Sequence, residues 1–196
     1  MVSSNVKQWP VVKGDYVVGD ETSNVAVVTL ASSLEPSPRA AIWGTCMTEN
    51  LGVEKVIINV VSNPHIRYVV VCGMESKGHL PGDAIVSIHK NGVDERRRIV
   101  DSKGAIPYIE NVPLEAIERF RKQVEIINMI GEIDTDKIHN LVDRLSRSSE
   151  EYPEEPIFCV APSTSDVKIE YREGDVFVCD DVYIDSTVGV VIDVQI

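Results

Sequence analysis

The chain has 196 residues, 43% hydrophobic and 26% charged, with a net charge of −12. That length supports one sizeable core, and no apolar run reaches the length of a membrane helix. The acidity excludes nucleic acid as an expected partner, because phosphate backbones select basic surfaces.

In chain order, VAVVTL (25–30) is a valine-rich run of the kind found in strands covered on both faces. ASSLEPSPRAAIWGTC (31–46) reads as a turn-rich connection. Thr48 is the expected helix N-cap, with the capping box left incomplete by Leu51. Val53, Val56, Ile57, Val60 and Val61 then recur at helical spacing until Asn63-Pro64 stops the helix. RYVVVC (67–72) is the second strand, and Pro81 sits where a first-turn proline belongs, in a helix running to Asn91-Gly92. RRIV (97–100) reads as a weak third strand, followed by the loop DSKGAIPYIENVP. A helix is predicted over 114–122 and a strand over 124–130. Asp134 caps a last helix to about Arg147. Strands alternating with helices give an α/β fold, a mostly parallel sheet with helices on both faces.

The division predicted is a main domain over 1–148, an acidic linker over 149–156, and a small antiparallel β unit over 157–196 packed on the main domain. Its strands are expected in FCVAP, VKIEY, DVFVC, DVYI and VGVVIDV. Residues 150–196 hold 12 acidic and 2 basic side chains, against 19 and 17 in residues 1–149. That face is either solvated or meets a basic partner. Cys46, Cys72, Cys159 and Cys179 form no Cys-x-x-Cys pair, so neither a structural zinc site nor a disulfide framework is expected. The N-terminus lacks the apolar core of a secretory signal, and a cytoplasmic protein is expected.

In an open parallel sheet, ligands bind beyond the carboxyl ends of the strands. Three glycine-rich loops are expected there, over 44–52, 73–82 and 102–112. They contribute Thr48, Glu49, Asn50 and Leu51, then Gly73, Gly78, His79, Leu80, Pro81 and Gly82, then Gly104, Ala105, Ile106, Pro107, Tyr108 and Asn111. No G-x-G-x-x-G follows the first strand and no phosphate loop is present, which counts against a dinucleotide-dependent oxidoreductase. His79, in CGMESKGHLPGD, is open to two readings. It is either a turn histidine bonded locally or a metal ligand, since neutral imidazole suits transition metals. With no second histidine or cysteine nearby, the metal would be one whose other positions a macrocycle fills. His65, His89 and His139 are expected in ordinary surface or half-buried roles, and Arg96-Arg97-Arg98 as a solvated cluster.

WPVVKGDYVVGD, VAVVTL, TENLGVEKV, NPHIRYVVVCG, KGHLPG, KGAIPYIENV and FRKQVEIINMIGEID, in that order over roughly residues 8 to 140, resemble the corrinoid-binding A subunit of tetrahydromethanopterin S-methyltransferase from methanogenic archaea. The resemblance implies a Rossmann-like fold and a cobamide, whose cobalt takes a methyl group from methyl-tetrahydromethanopterin and yields it to coenzyme M. It implies that His79 is the lower axial cobalt ligand and the one metal-binding residue. It also implies methyl-donor and methyl-acceptor methyltransferase subunits as partners; a homo-oligomer is a further option. His79-x-x-Gly82 is similar to the D-x-H-x-x-G signature of other cobalamin-dependent methyltransferases, but Lys77 stands where their Asp would, so that proton relay is not carried over. Glu75 or Glu49 could orient His79 instead. Members of the membrane complex end in a hydrophobic anchor. The ending VGVVIDVQI reads as a strand, and a soluble relative without direct membrane insertion is expected. A non-catalytic assembly or storage protein for corrinoid is the remaining alternative.

Overall fold

A computed structural model describes residues 9–159 and, as backbone, the four strands between residues 170 and 193. The elements of the first unit are β1 (Tyr16–Val18), β2 (Val25–Val28), β3 (Ile42–Gly44), α1 (Leu51–Val61), β4 (Tyr68–Gly73), α2 (Pro81–Asn91), α3 (Leu114–Gln123), β5 (Glu125–Ile130) and α4 (Thr135–Leu145). The sheet order is β1-β3-β2-β4-β5, parallel throughout except that β1 runs antiparallel to β3 at the edge.

The two-residue period of the strands builds both layers. Ala26, Val28, Val69 and Val71 face one side, where α1, α2 and α3 bury Val53, Ile57, Ile85, Ile117 and Phe120. Val25, Val27, Val70 and Cys72 face the other, where α4 lays down Ile138 and Val142 beside Trp43. Helices thus cover both faces, three against one. Phe120 is fully buried and meets the His89 ring edge-on at 6.0 Å. Phe120→Ala is expected to cost about 3–5 kcal/mol, the usual loss for an aromatic cavity, measured by urea unfolding.

Two parts of the sheet differ from the sequence reading. The turn-rich segment 31–46 contains β3, and β1 adds an edge strand where none is predicted. Each spans three residues, too short for periodicity to show. Residues 97–100 make no sheet strand. Val93 bridges Ile99 and Arg98 bridges Tyr108, a small pairing held by the Asp94 side chain, which accepts from the Arg96 and Arg98 N–H groups. Nor are Arg97 and Arg98 simply solvated. The Arg97 guanidinium donates to the Ile109 and Val112 carbonyls and that of Arg98 to the Ile99 and Ser102 carbonyls, fastening the long loop to itself.

Residues after α4 continue along the first unit. Tyr152 N–H donates to the Pro64 carbonyl and Ile157 N–H to that of Val61. The Arg119 guanidinium lies 4.1 Å over the Tyr152 ring and 3.0 Å from Glu154. The chain divides into compact units at Cys159–Val160. In the second unit, β6 (Glu170–Arg172), β7 (Asp175–Cys179), β8 (Val182–Asp185) and β9 (Val190–Asp193) form an antiparallel sheet in that order. The strand predicted at 158–162 falls, beyond Cys159, outside the described residues, as does the start of the one at 167–171. No helix among the described residues is long and apolar enough to cross a membrane.

Candidate functional site

The site forms at the carboxyl edge of the parallel strands, where β3 and β4 release the chain into the loops that precede α1 and α2. Gly73 ends β4 with φ +78°, and a Cβ there would meet the Thr29 carbonyl oxygen at 2.1 Å, so only glycine lets the chain turn away so tightly. Residues 74–80 then form a short turn in which the His79 and Leu80 N–H groups both donate to the Ser76 carbonyl. Leu80 takes a left-handed conformation, φ 53°, and Pro81 opens α2 at its first turn, as its place in the sequence predicts.

Three carboxylates hold this arrangement. Glu75 accepts from the Gly82 and Asp83 N–H groups at 2.9 and 2.8 Å, satisfying the amino end of α2. Asp83 in turn accepts from the Lys103 N–H at 2.8 Å and the Ser102 hydroxyl at 3.2 Å, drawing the long loop onto the same helix end. Glu49, fully buried, accepts from the Ile106 N–H at 2.7 Å through Oε1 and contacts His79 Nδ1 at 2.8 Å through Oε2. Of the two acidic residues the sequence offers as partners of His79, the bond therefore goes to Glu49, and Glu75 is spent on the helix.

Burial pushes the Glu49 carboxyl up, but the bonds from the Ile106 N–H, its own backbone N–H and His79 outweigh that and hold it below the usual glutamate range. An ionised carboxylate only accepts, so Nδ1 must carry the proton of the shared bond. In the neutral ring Nε2 is then the nitrogen that keeps its lone pair, and half of the His79 side chain is open to solvent. A buried carboxylate fixing a histidine's tautomer and aiming its free nitrogen outward is how metal-binding imidazoles are oriented.

The depressed carboxyl has a consequence for stability. Its contribution is fully present above the ordinary glutamate value of 4.5 and is lost as pH falls through the lower folded value. Glu49→Gln is therefore expected to lose less stability than the native chain on acidification from about pH 5 to about pH 3, read as urea midpoints at each pH.

Of the other residues the sequence singles out, Thr48 accepts the Gly52 N–H on its hydroxyl at 2.9 Å. The N-cap position itself belongs to Asn50, whose side chain accepts from the Leu51 N–H, so α1 starts two residues later than Thr48 suggests. Gly82 and Gly104 are packing glycines. A Cβ on Gly82 would lie 2.9 Å from Glu75 and Leu30, and one on Gly104 only 2.6 Å from the His79 carbonyl oxygen. Gly78 has φ +87° with open space around it. Ala105 and Ile106 are exposed, and Pro107 is buried with its carbonyl bonded to the Ile99 N–H. Tyr108 pairs with Arg98, and Asn111 is held by Glu54, whose buried carboxylate also accepts the Glu110 N–H. Glu54 and Asp83 are the positioning residues that sequence reasoning misses; only a carboxylate in the first turn of each helix hinted at them.

Met47, Leu51, Met74 and Ile106 are each about half exposed on the loops that carry Glu49, His79 and the Ile106 N–H. These segments thus carry one oriented imidazole and several exposed apolar side chains. His65, His89 and His139 have local partners in Glu151, the Val124 carbonyl and the Glu35 carbonyl.

The chain is thus an α/β domain with a carboxylate-oriented histidine at the carboxyl edge of its sheet, the edge at which open α/β sheets bind ligands. The model of the tetrahydromethanopterin S-methyltransferase A-subunit family matches residues 3–167, and this chain belongs to that family. It is 50% identical to the A subunit of the putative methyltransferase Mtx of Methanosarcina acetivorans, over 94% of both chains. It is 45% identical to the first of two tetrahydromethanopterin S-methyltransferase A subunits of Methanothermobacter thermautotrophicus, over 86% of this chain and 80% of the relative. With the second A subunit of the same organism the identity is 50%, over 80% of this chain and 88% of the relative.

Proposed function

We propose that this chain is the corrinoid carrier of a methyl-transfer system, holding a cobamide with His79 Nε2 as the lower ligand of its cobalt. The observation that carries this is the Glu49–His79 bond, which fixes the ring and leaves one outward nitrogen donor. The donor set fits. A bare divalent ion takes three or four protein ligands, whereas a metal already held by a macrocycle needs one. The half-exposed Met47, Leu51, Met74 and Ile106 suit the apolar faces of such a ring.

When bound, the cobamide supplies a cobalt able to accept and release a methyl group. The protein's own part is narrower. Glu49 keeps the Nδ1 proton and so keeps Nε2 basic; the Ile106 N–H keeps Glu49 ionised; Asp83 and Glu75 hold the loops against α2. In this reading the methyl group passes from methyl-tetrahydromethanopterin to coenzyme M, brought by separate methyl-donor and methyl-acceptor subunits in the cytoplasm. The family and the methyltransferase names of its relatives support that assignment.

Titration of the purified full chain with hydroxocobalamin, followed by absorbance and equilibrium dialysis, tests the carrier role. Saturation at one corrinoid per chain with Kd about 1 μM or below is expected. No binding at about 100 μM would sink it.

A further inference from the structure

β5 closes one edge of the five-stranded sheet, and among the described residues no strand pairs with its outer side. The Glu125 N–H donates to the Arg67 carbonyl and the Gly131 N–H to that of Gly73, so the odd-numbered residues of β5 turn their backbone groups toward β4. Ile126, Asn128 and Ile130 therefore turn theirs outward, and the Ile130 N–H is met there by the Asn128 side chain at 3.1 Å. Sheet edges are commonly guarded by brevity, a lysine, a proline or a bulge. β1, at the other edge, has three residues. β5 has six, EIINMI, with no lysine or proline, and its register with β4 runs unbroken from Glu125 to Ile130. Ile126, Ile127, Met129 and Ile130 are each only partly buried, whereas Val69, Val70, Val71 and Cys72 on β4 are fully buried. Leu141 and Leu145 of α4, in the same layer as Ile127 and Met129, are partly buried too.

We propose that the β5 edge pairs antiparallel with the β5 edge of a second copy of this chain, about a two-fold axis through Asn128. The strand is complementary to itself in that register. Ile126 falls opposite the partner's Ile130, Ile127 opposite the partner's Met129, and Glu125 opposite the partner's Gly131, so apolar meets apolar on each face and no like charges meet. Gly131 leaves room for the carboxylate, with no atom within 4 Å of a built Cβ. The outward backbone groups of Ile126, Asn128 and Ile130 face one another, as an antiparallel ladder requires. The two Asn128 amides meet on the axis, each offering both donor and acceptor. Centring on Ile127 instead would set Glu125 against Met129 and Ile126 against Asn128, which loses this match. Because the paired strands run in opposite directions, the carboxyl edges carrying His79 point to opposite ends of the joined sheet. Each site thus stays open, and the pairing does not depend on which ligand it holds.

Sedimentation of the full chain between about 5 and about 500 μM tests this. The native chain is expected to pass from monomer to dimer across that range, and the Ile126 and Asn128 amide protons to exchange about tenfold more slowly in the dimer. Asn128 is exposed, so its replacement should leave the urea midpoint unchanged. Asn128→Lys and Asn128→Asp each set like charges together on the axis and should weaken the dimer about tenfold or more. Mixing the two variants in equal amounts sets opposite charges there and should restore it. A native chain still monomeric at about 500 μM overturns the proposal. So does a native dimer that either variant leaves intact, or one that the mixture fails to restore, since the contact would then lie elsewhere. If a variant's urea midpoint falls, exchange in the native dimer decides alone, and no slowing at Ile126 and Asn128 overturns it.

Discussion

His79→Ala is expected to remove the histidine nitrogen from the cobalt of the reconstituted protein and to lower cobalamin affinity at least about tenfold. The measurement is EPR of the cobalt(II) form in protein labelled with ¹⁵N-histidine. An axial ¹⁵N splits the cobalt lines differently from ¹⁴N, so the native chain should show the ¹⁵N pattern and the variant should lose it. Folding is not at stake to the same degree. The His79 ring is half exposed, and its loss opens Glu49 Oε2 to water while Oε1 keeps the Ile106 N–H. Glu49→Ala is the informative companion. It leaves the imidazole in place but removes what fixes its tautomer, and a drop of about 10–100-fold in affinity with the ¹⁵N pattern retained is expected. A ¹⁴N pattern in the native chain would mean that the cofactor's own base, or another unlabelled ligand, holds the lower position.

Which features were legible in the sequence follows from their length scale. β2 and β4 showed because runs such as VAVV and YVVVC are buried on both faces and leave an unbroken apolar signature. α2 and α4 showed through Pro81 and Asp134, residues whose place at a helix start has a local cause. β3 did not, because Ile42–Gly44 follows prolines and owes its strand conformation to partners on both sides, β1 and β2. The error at 97–100 has the same root: apolar residues next to an arginine run look like a strand, yet local bonds from Asp94 turn them into a bridge. His79 was legible as a residue but not as a site. Its meaning lies in a bond to a residue 30 positions away, and Glu49 and Glu75 are equally plausible until the fold assigns one to the ring and the other to the end of α2.

Gly104→Ala should damage the site by crowding it. A Cβ at this position lies 2.6 Å from the His79 carbonyl oxygen and 2.8 Å from Glu49 Cγ, so it presses on both partners of the Glu49–His79 bond at once. Neither can step aside cheaply. The His79 oxygen is backbone, and Glu49 is fully buried and tethered to the Ile106 N–H, two residues along the same loop. The loop must therefore lift, stretching the bonds from Glu49 and Asp83 that draw it down. Overpacking of this kind costs about 1–3 kcal/mol, read as a lower urea midpoint, and the displaced loop should lower cobalamin affinity by about tenfold or more. Gly78→Ala, in the same site, separates crowding from backbone strain. Gly78 has φ +87° but no atom within 4 Å of a built Cβ, so alanine there meets only the left-handed penalty of about 1–2 kcal/mol and keeps the Glu49–His79 geometry. The two variants should thus lose similar stability while only Gly104→Ala loses corrinoid. Native-like binding by Gly104→Ala would show that the loop carrying Ile106 has room to move and that Glu49 holds His79 without its help.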